Sequence, residues 1–188
     1  MSSARSILVT ITRRVLDALS PRTSRPRTAP GRSAVLRPQP ARDTSGREAQ
    51  TETRRLDPRA VGSLVVEYSP NRDGAPDAGE IVWTWVPYEE GDGRGKDRPV
   101  LVIGRASADR VYAVRLTSRP HDGDRDYLSI GSGAWDAQGR ESWVDIEQLY
   151  SVHERGLRRE AAVLARSRFD RVAAALQKRY GWRATRPS

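Results

Sequence analysis

The sequence predicts an α+β domain that is mainly β, a small antiparallel barrel with one helix packed on it, carried behind a basic arm. Three observations point there. All twelve aromatic residues (five Trp, six Tyr and Phe169) fall after position 60, so the side chains able to fill a core are confined to the last two thirds. From residue 62 onward, short runs rich in β-branched and aromatic residues alternate with Gly, Pro, Asn and Asp, the composition of strands joined by turns. Near the C-terminus the apolar spacing becomes helical, and a run of strands followed by one helix gives an α+β arrangement.

The arm is assigned to residues 1–60, which hold 13 Arg against 5 acids; residues 61–188 hold 20 Lys plus Arg against 19 acids. The net charge of +9 therefore belongs to the arm. A basic total usually points to nucleic acid or an anionic membrane, but on the nearly neutral domain any such site must be a local patch. Ile7, Ile11, Val15 and Leu19 recur every four positions beside Leu8 and Leu16. That spacing predicts a short amphipathic helix over 4–19, suited to an anionic surface or a docking partner. From residue 20 to 60, Pro, Arg, Ser and Thr dominate, and disorder is expected because few apolar side chains offset the entropy of ordering.

With no Cys, disulfides, thiolate metal sites and cysteine nucleophiles are excluded. No run approaches the ~18 apolar residues of a membrane span, and Ile7–Ile11 is too short for a secretory core. A cytoplasmic protein with no integral membrane association is expected.

The domain, 61–188, opens with strands over 62–68 (GSLVVEY) and 81–86 (IVWTWV). Val100 to Ile103 is continuously apolar, as in a strand buried on both faces, whereas 111–116 alternates as a half-exposed strand does. Two further strands are predicted over 127–130 and 143–152. Residues 160–165 (EAAVLA) read equally as strand or helix. Ser167 with Asp170 forms a capping-box pattern, and Phe169, Val172, Leu176 and Tyr180 follow at helical spacing until Gly181 offers a stop. The long loops, 87–97 and 119–141, are where a site on a small barrel is expected. Three weaker patterns are set aside. Ser69 to Glu80 has EF-hand-like spacing between strand-like flanks, so it reads as a polar turn. Gly131 to Asp136 lacks the Lys of a phosphate loop. Trp83 and Trp85 share a face and suit either base stacking or core packing.

Gly79-Glu80-Ile81-Val82-Trp83 resembles the G-[DE]-[IV]-[VI]-[WL] opening of the PemK/MazF toxins. Arg98-Pro99-Val100-Leu101-Val102-Ile103 is similar to their R-P-[AV]-[VL]-[VI]-[VI] block, and Val114-Arg115-Leu116-Thr117-Ser118 to their apolar strand ending in Thr-Ser. More loosely, Glu147-Gln148-Leu149-Tyr150-Ser151-Val152 resembles their D-Q-[IV]-R-T-[VI] strand. The resemblance spans 79–182 and implies an SH3-like barrel, commonly a homodimer, that cleaves single-stranded RNA without metal or other cofactor and is neutralised by a cognate antitoxin protein.

It also points to site residues, to which His121 is added on its own chemistry. When a ribose 2'-OH attacks its own phosphate, charge grows on the phosphoryl oxygens, and a guanidinium can pair with two of them; Arg98 is the candidate. Thr117 and Ser118 supply hydroxyl donors at a strand end. His121, four residues on, is the candidate acid or base because imidazole titrates near neutrality. Two family arginines are absent, with Asp145 and Tyr150 in their places. An acid at a phosphate site repels substrate, so the alternative reading is a non-catalytic barrel that binds nucleic acid or a protein.

Overall fold

The structure is a computed structural model that describes residues 51–71 and 73–185; the helix predicted over 4–19 lies outside them. Among the described residues ten strands and one α-helix follow in order: β1 (Arg54–Leu56), β2 (Val65–Val66), β3 (Glu80–Pro87), β4 (Gly95–Arg105), β5 (Arg110–Thr117), β6 (Tyr127–Gly131), β7 (Ser142–Asp145), β8 (Leu149–His153), β9 (Leu157–Val163), α1 (Arg166–Tyr180) and β10 (Arg183–Ala184). The fold is α+β and mainly β. The main sheet is antiparallel, ordered β1-β8-β5-β4-β3-β9, with β6 and β7 attached beside β5.

Strand alternation divides the core in two. Leu101 and Ile103 of β4 join Ile81, Val114, Leu116 and Leu149 beneath Phe169, Val172 and Leu176 of α1. Val100 and Val102 join Val82, Val86, Val111, Ala113, Tyr150 and Val152 on the other face. This accounts for the continuously apolar run in β4, whose four residues 100–103 are all fully buried, because neighbouring side chains point to opposite faces and both faces are covered. The hydrogen-bonded ladder does not close into a complete barrel. Its two ends are instead joined by side chains: the Thr53 and Thr84 hydroxyls lie 2.7 Å apart, and Thr84 donates to the Gly156 carbonyl at 3.0 Å.

Several predicted elements differ in detail. The sheet begins at Arg54, within the segment that composition assigns to the arm, because β1 pairs through its backbone with β8. The strand predicted over 62–68 shrinks to Val65–Val66, which pairs in parallel with β10. The run 143–152 is two strands, interrupted at 146–148 where Glu147 N–H donates to the Asp145 carboxylate at 3.1 Å. The ambiguous segment 160–165 falls largely in β9, paired with β3. The capping box does not form: α1 starts at Arg166, its N-cap is Ala165, and no side chain caps it. Asp170 is held instead by the Arg166 guanidinium at 2.9 Å. The predicted stop holds, since Gly181 has φ 73° and donates back to the Gln177 carbonyl. Trp182, just beyond, is buried, stacks on Tyr180 of the last turn and donates to the Val61 carbonyl.

Candidate functional site

The β4–β5 ladder ends at the pair Val100 and Arg115. Beyond it β4 continues against β3 alone, through Pro99, Arg98 and Asp97, while β5 continues against β7 through Leu116 and Thr117. Pro99 has no N–H to donate to a ladder, and the two strands part at this point. A cleft of about 170 Å³ lies at this parting. Lys96 to Pro99 of β4 form one lip; Thr117 and Ser118 at the end of β5 form the other. Trp83 of β3 and Trp135, Asp136, Arg140 and Ser142 around the β6–β7 loop complete the wall.

Three of the four residues singled out by sequence therefore line one cleft. Continuing the β4–β5 register by two residues sets Arg98 across from Thr117. Arg98 is half-buried and makes no ion pair among the described residues, so its charge is not already satisfied. The Thr117 hydroxyl oxygen accepts from the Arg119 N–H at 3.1 Å, which leaves its proton free to donate. Trp135 is fixed in the wall by donating from its indole to Ser142 at 3.0 Å. Arg140 holds Asp136 at 2.8 Å, and the hydrogen bond from Arg140, helped by the Gln138 N–H, lowers the Asp136 pKa. His121 is not part of the cleft. Its ring stacks on Tyr127 with centroids 3.5 Å apart, and its Nδ1 lies 3.4 Å from Asp124.

A sequence model described as "PemK-like, MazF-like toxin of type II toxin-antitoxin system" matches residues 77–179, more than half the chain. The chain belongs to this toxin family. Among solved structures, the PemK/MazF-family chain described here is similar to MazE-MazF from Deinococcus radiodurans, at 25% identity over 57% of this chain and 96% of that one, with a TM-score of 0.45. It is also similar to an endoribonuclease in complex with its cognate antitoxin from Mycobacterial species, at 17% identity over 57% and 96%, TM-score 0.44. A third is the Mycobacterium tuberculosis toxin MazF-mt6, at 16% identity over 54% and 97%, TM-score 0.39. No curated protein matches the chain. Among the described residues no helix is long and apolar enough to cross a membrane.

Asp145 and Tyr150, which replace two arginines found in some PemK/MazF members, are both buried and are not among the residues that line the cleft. Asp145 receives the Arg115 guanidinium at 2.6 Å. The Tyr150 hydroxyl donates to Gln148, whose amide donates to Glu89 on the β3–β4 loop, and Glu89 in turn lies 4.0 Å from Arg115. The acid is thus neutralised by a cation of its own. Burial opposes the Arg115 charge, but Tyr150 and Asp145 outweigh it and raise its pKa. Burial likewise raises the Tyr150 phenol, with Arg115 pulling it down and Asp145 pushing it up. Sequence reasoning missed Arg115. Its only signal is a charged residue at a position of β5 that shares a face with Val111 and Ala113.

Proposed function

We propose that this PemK/MazF-family chain is a metal-independent endoribonuclease that cleaves single-stranded RNA, acting as a homodimer and neutralised by a cognate antitoxin. One observation carries the chemistry: Arg98, which makes no ion pair among the described residues, lines one cleft with Thr117 and Ser118. The substrate's 2'-OH attacks the adjacent phosphorus, the P–O5' bond breaks, and a 2',3'-cyclic phosphate and a 5'-hydroxyl result. The Arg98 guanidinium pairs with two phosphoryl oxygens as their charge grows, and Thr117 and Ser118 donate to the same oxygens. With His121 outside the cleft, the 2'-OH proton passes to solvent and the departing 5'-oxygen takes one from solvent.

The alternative, a non-catalytic barrel that binds nucleic acid or a protein partner, draws on Asp97 and Asp136 of the cleft lining, which offset its cations. Incubating the purified chain with single-stranded RNA in EDTA separates the two. Cleavage with cyclic-phosphate ends, lost in a folded Arg98→Ala chain, supports the enzyme. RNA binding without cutting, with or without divalent metal, supports the binder. Cutting that survives in folded Arg98→Ala overturns the site assignment.

A further inference from the structure

Two arginines of α1 hold strand β6 and the start of the β6–β7 loop, whose later residues wall the cleft. Arg168 donates to the Ser132 carbonyl at 2.8 Å, and Arg171 donates to the Ser129 carbonyl at 2.9 Å. Each bond uses one N–H of a guanidinium that has five. Neither arginine makes an ion pair among the described residues. The nearby acids are otherwise engaged: Asp170 with Arg166, Asp136 with Arg140, and Glu141 with the Ser129 hydroxyl. The Arg168 guanidinium also lies against Gly131, 3.4 to 3.6 Å from where a Cβ would stand. Carbonyl oxygens thus hold both groups in place without cancelling their charge. An arginine paired with a carboxylate is already neutralised toward phosphate.

We infer that Arg168 and Arg171 form a second phosphate-binding pair, a track for single-stranded RNA that continues from the cleft past Arg140 and along the first turns of α1. The inference rests on the RNA-cleaving reading and extends it to the substrate's length. Residues three apart on a helix share a face with Cβ atoms about 5–6 Å apart, so two long side chains serve neighbouring phosphates of one strand. Two guanidiniums held by backbone carbonyls read backbone charge rather than base identity. Its effect is to make a long RNA bind better than a fragment that fills only the cleft.

The test uses 2'-O-methyl RNA, which lacks the attacking hydroxyl and so reads binding whether or not the chain cleaves. A fifteen-residue oligonucleotide and a four-residue one are compared over a range of salt. In Arg168→Gln/Arg171→Gln, the affinity advantage of the longer oligonucleotide is expected to fall about tenfold, and its log-log salt slope to flatten by about 1.4, or 0.7 per lost phosphate contact. Arg168→Lys/Arg171→Lys keeps the charge and should keep most of the slope. An unchanged advantage and slope in the folded Gln variant overturns the track, even if the chain cuts RNA at Arg98. A lost slope in a chain that never cuts RNA leaves the track standing and removes the enzyme reading instead. Should the Gln variant fail to fold, phenylglyoxal modification of the unaltered chain decides the matter. Protection of Arg168 and Arg171 by the longer oligonucleotide and not the shorter supports the track. Absence of that protection overturns it, and protection by polyglutamate in place of RNA assigns the pair to an acidic protein.

Discussion

Arg98 and Arg115 stand on neighbouring strands, one on either side of the point where β4 and β5 part, yet their surroundings are opposite. Arg115 is 15% exposed, ion-paired with a buried Asp145, and linked through Glu89, Gln148 and Tyr150 into one polar network. Arg98 lies at the cleft, with no carboxylate paired to it among the described residues. Desolvation explains the contrast. A buried guanidinium must be neutralised and hydrogen-bonded to be tolerated, whereas one at a water-filled cleft keeps its charge for a ligand. Where the ladder still runs, a cation is structural; where it has split, a cation is available.

The largest effects should separate these two arginines. Arg98→Ala is expected to lower RNA cleavage by ~1000-fold or more, on the scale of losing a charged transition-state partner, while the unfolding midpoint stays close to that of the unaltered chain. Arg115→Ala should instead cost about 3–5 kcal/mol of stability by leaving Asp145 buried and unpaired. Replacing both members of the pair, as Arg115→Met/Asp145→Leu, should recover most of that loss, because the penalty belongs to the orphaned charge rather than to the pair. Urea unfolding and a cleavage assay on the same preparations test the contrast, and a stability loss for Arg98→Ala as large as for Arg115→Ala would erase it.

The hydroxyls on the opposite lip come next. Thr117→Ala and Ser118→Ala are each expected to lower the cleavage rate by ~10- to 1000-fold, the range for one positioned donor, with kcat falling more than KM rises. Equal changes in KM alone would mean that the hydroxyls hold substrate without favouring the transition state.

Local periodicity made much of this molecule legible. The fully apolar 100–103, the β-branched and aromatic 81–86 and the helical spacing of Phe169, Val172, Leu176 and Tyr180 each report burial of their own side chains, and each element appears where its pattern falls. Elements held by something other than side-chain burial were not legible. β1, Arg-Arg-Leu, exposes both of its arginines and joins the sheet through backbone pairing with β8. The partnership of Arg115 with Asp145 bridges 30 residues of sequence, and neither residue announces it alone. In the candidate site, motif spacing marked Arg98, Thr117 and Ser118, but His121 was chosen for proximity in sequence, and the turn at 121–124 carries it onto Tyr127 instead.

The hidden strand gives a smaller and more local test of how the sheet's ends are joined. A chain beginning at residue 61 lacks β1 and the Thr53 hydroxyl that meets Thr84. Its loss of stability is expected to be about 1–3 kcal/mol, from the lost Thr53–Thr84 bond and an uncovered β8 edge. A midpoint equal to that of a chain beginning at residue 51 would show that the ladder needs no help at its open seam.

The smallest expected effect concerns alkaline pH and again divides the buried network from the cleft. Tyr150 is fully buried, and burial raises its pKa above the ~10 of an exposed phenol, with Arg115 opposing and Asp145 reinforcing the shift. A group whose folded pKa lies above its unfolded value contributes its stability fully below the unfolded pKa and loses it as pH rises through the folded one. Stability should therefore decline from about pH 10 upward. Tyr127 and Tyr180 are raised for the same first reason, burial, so Tyr150→Phe should flatten the decline without abolishing it. At neutral pH that substitution should cost only ~0.5–1.5 kcal/mol, for the lost bond to Gln148. Midpoints measured at neutral pH and above pH ~10 give the comparison. If both chains fall in parallel, water reaches the Tyr150 hydroxyl and the network is open. If the variant falls less steeply, the network is sealed, and the charge it encloses is withheld from any RNA that enters beside Arg98.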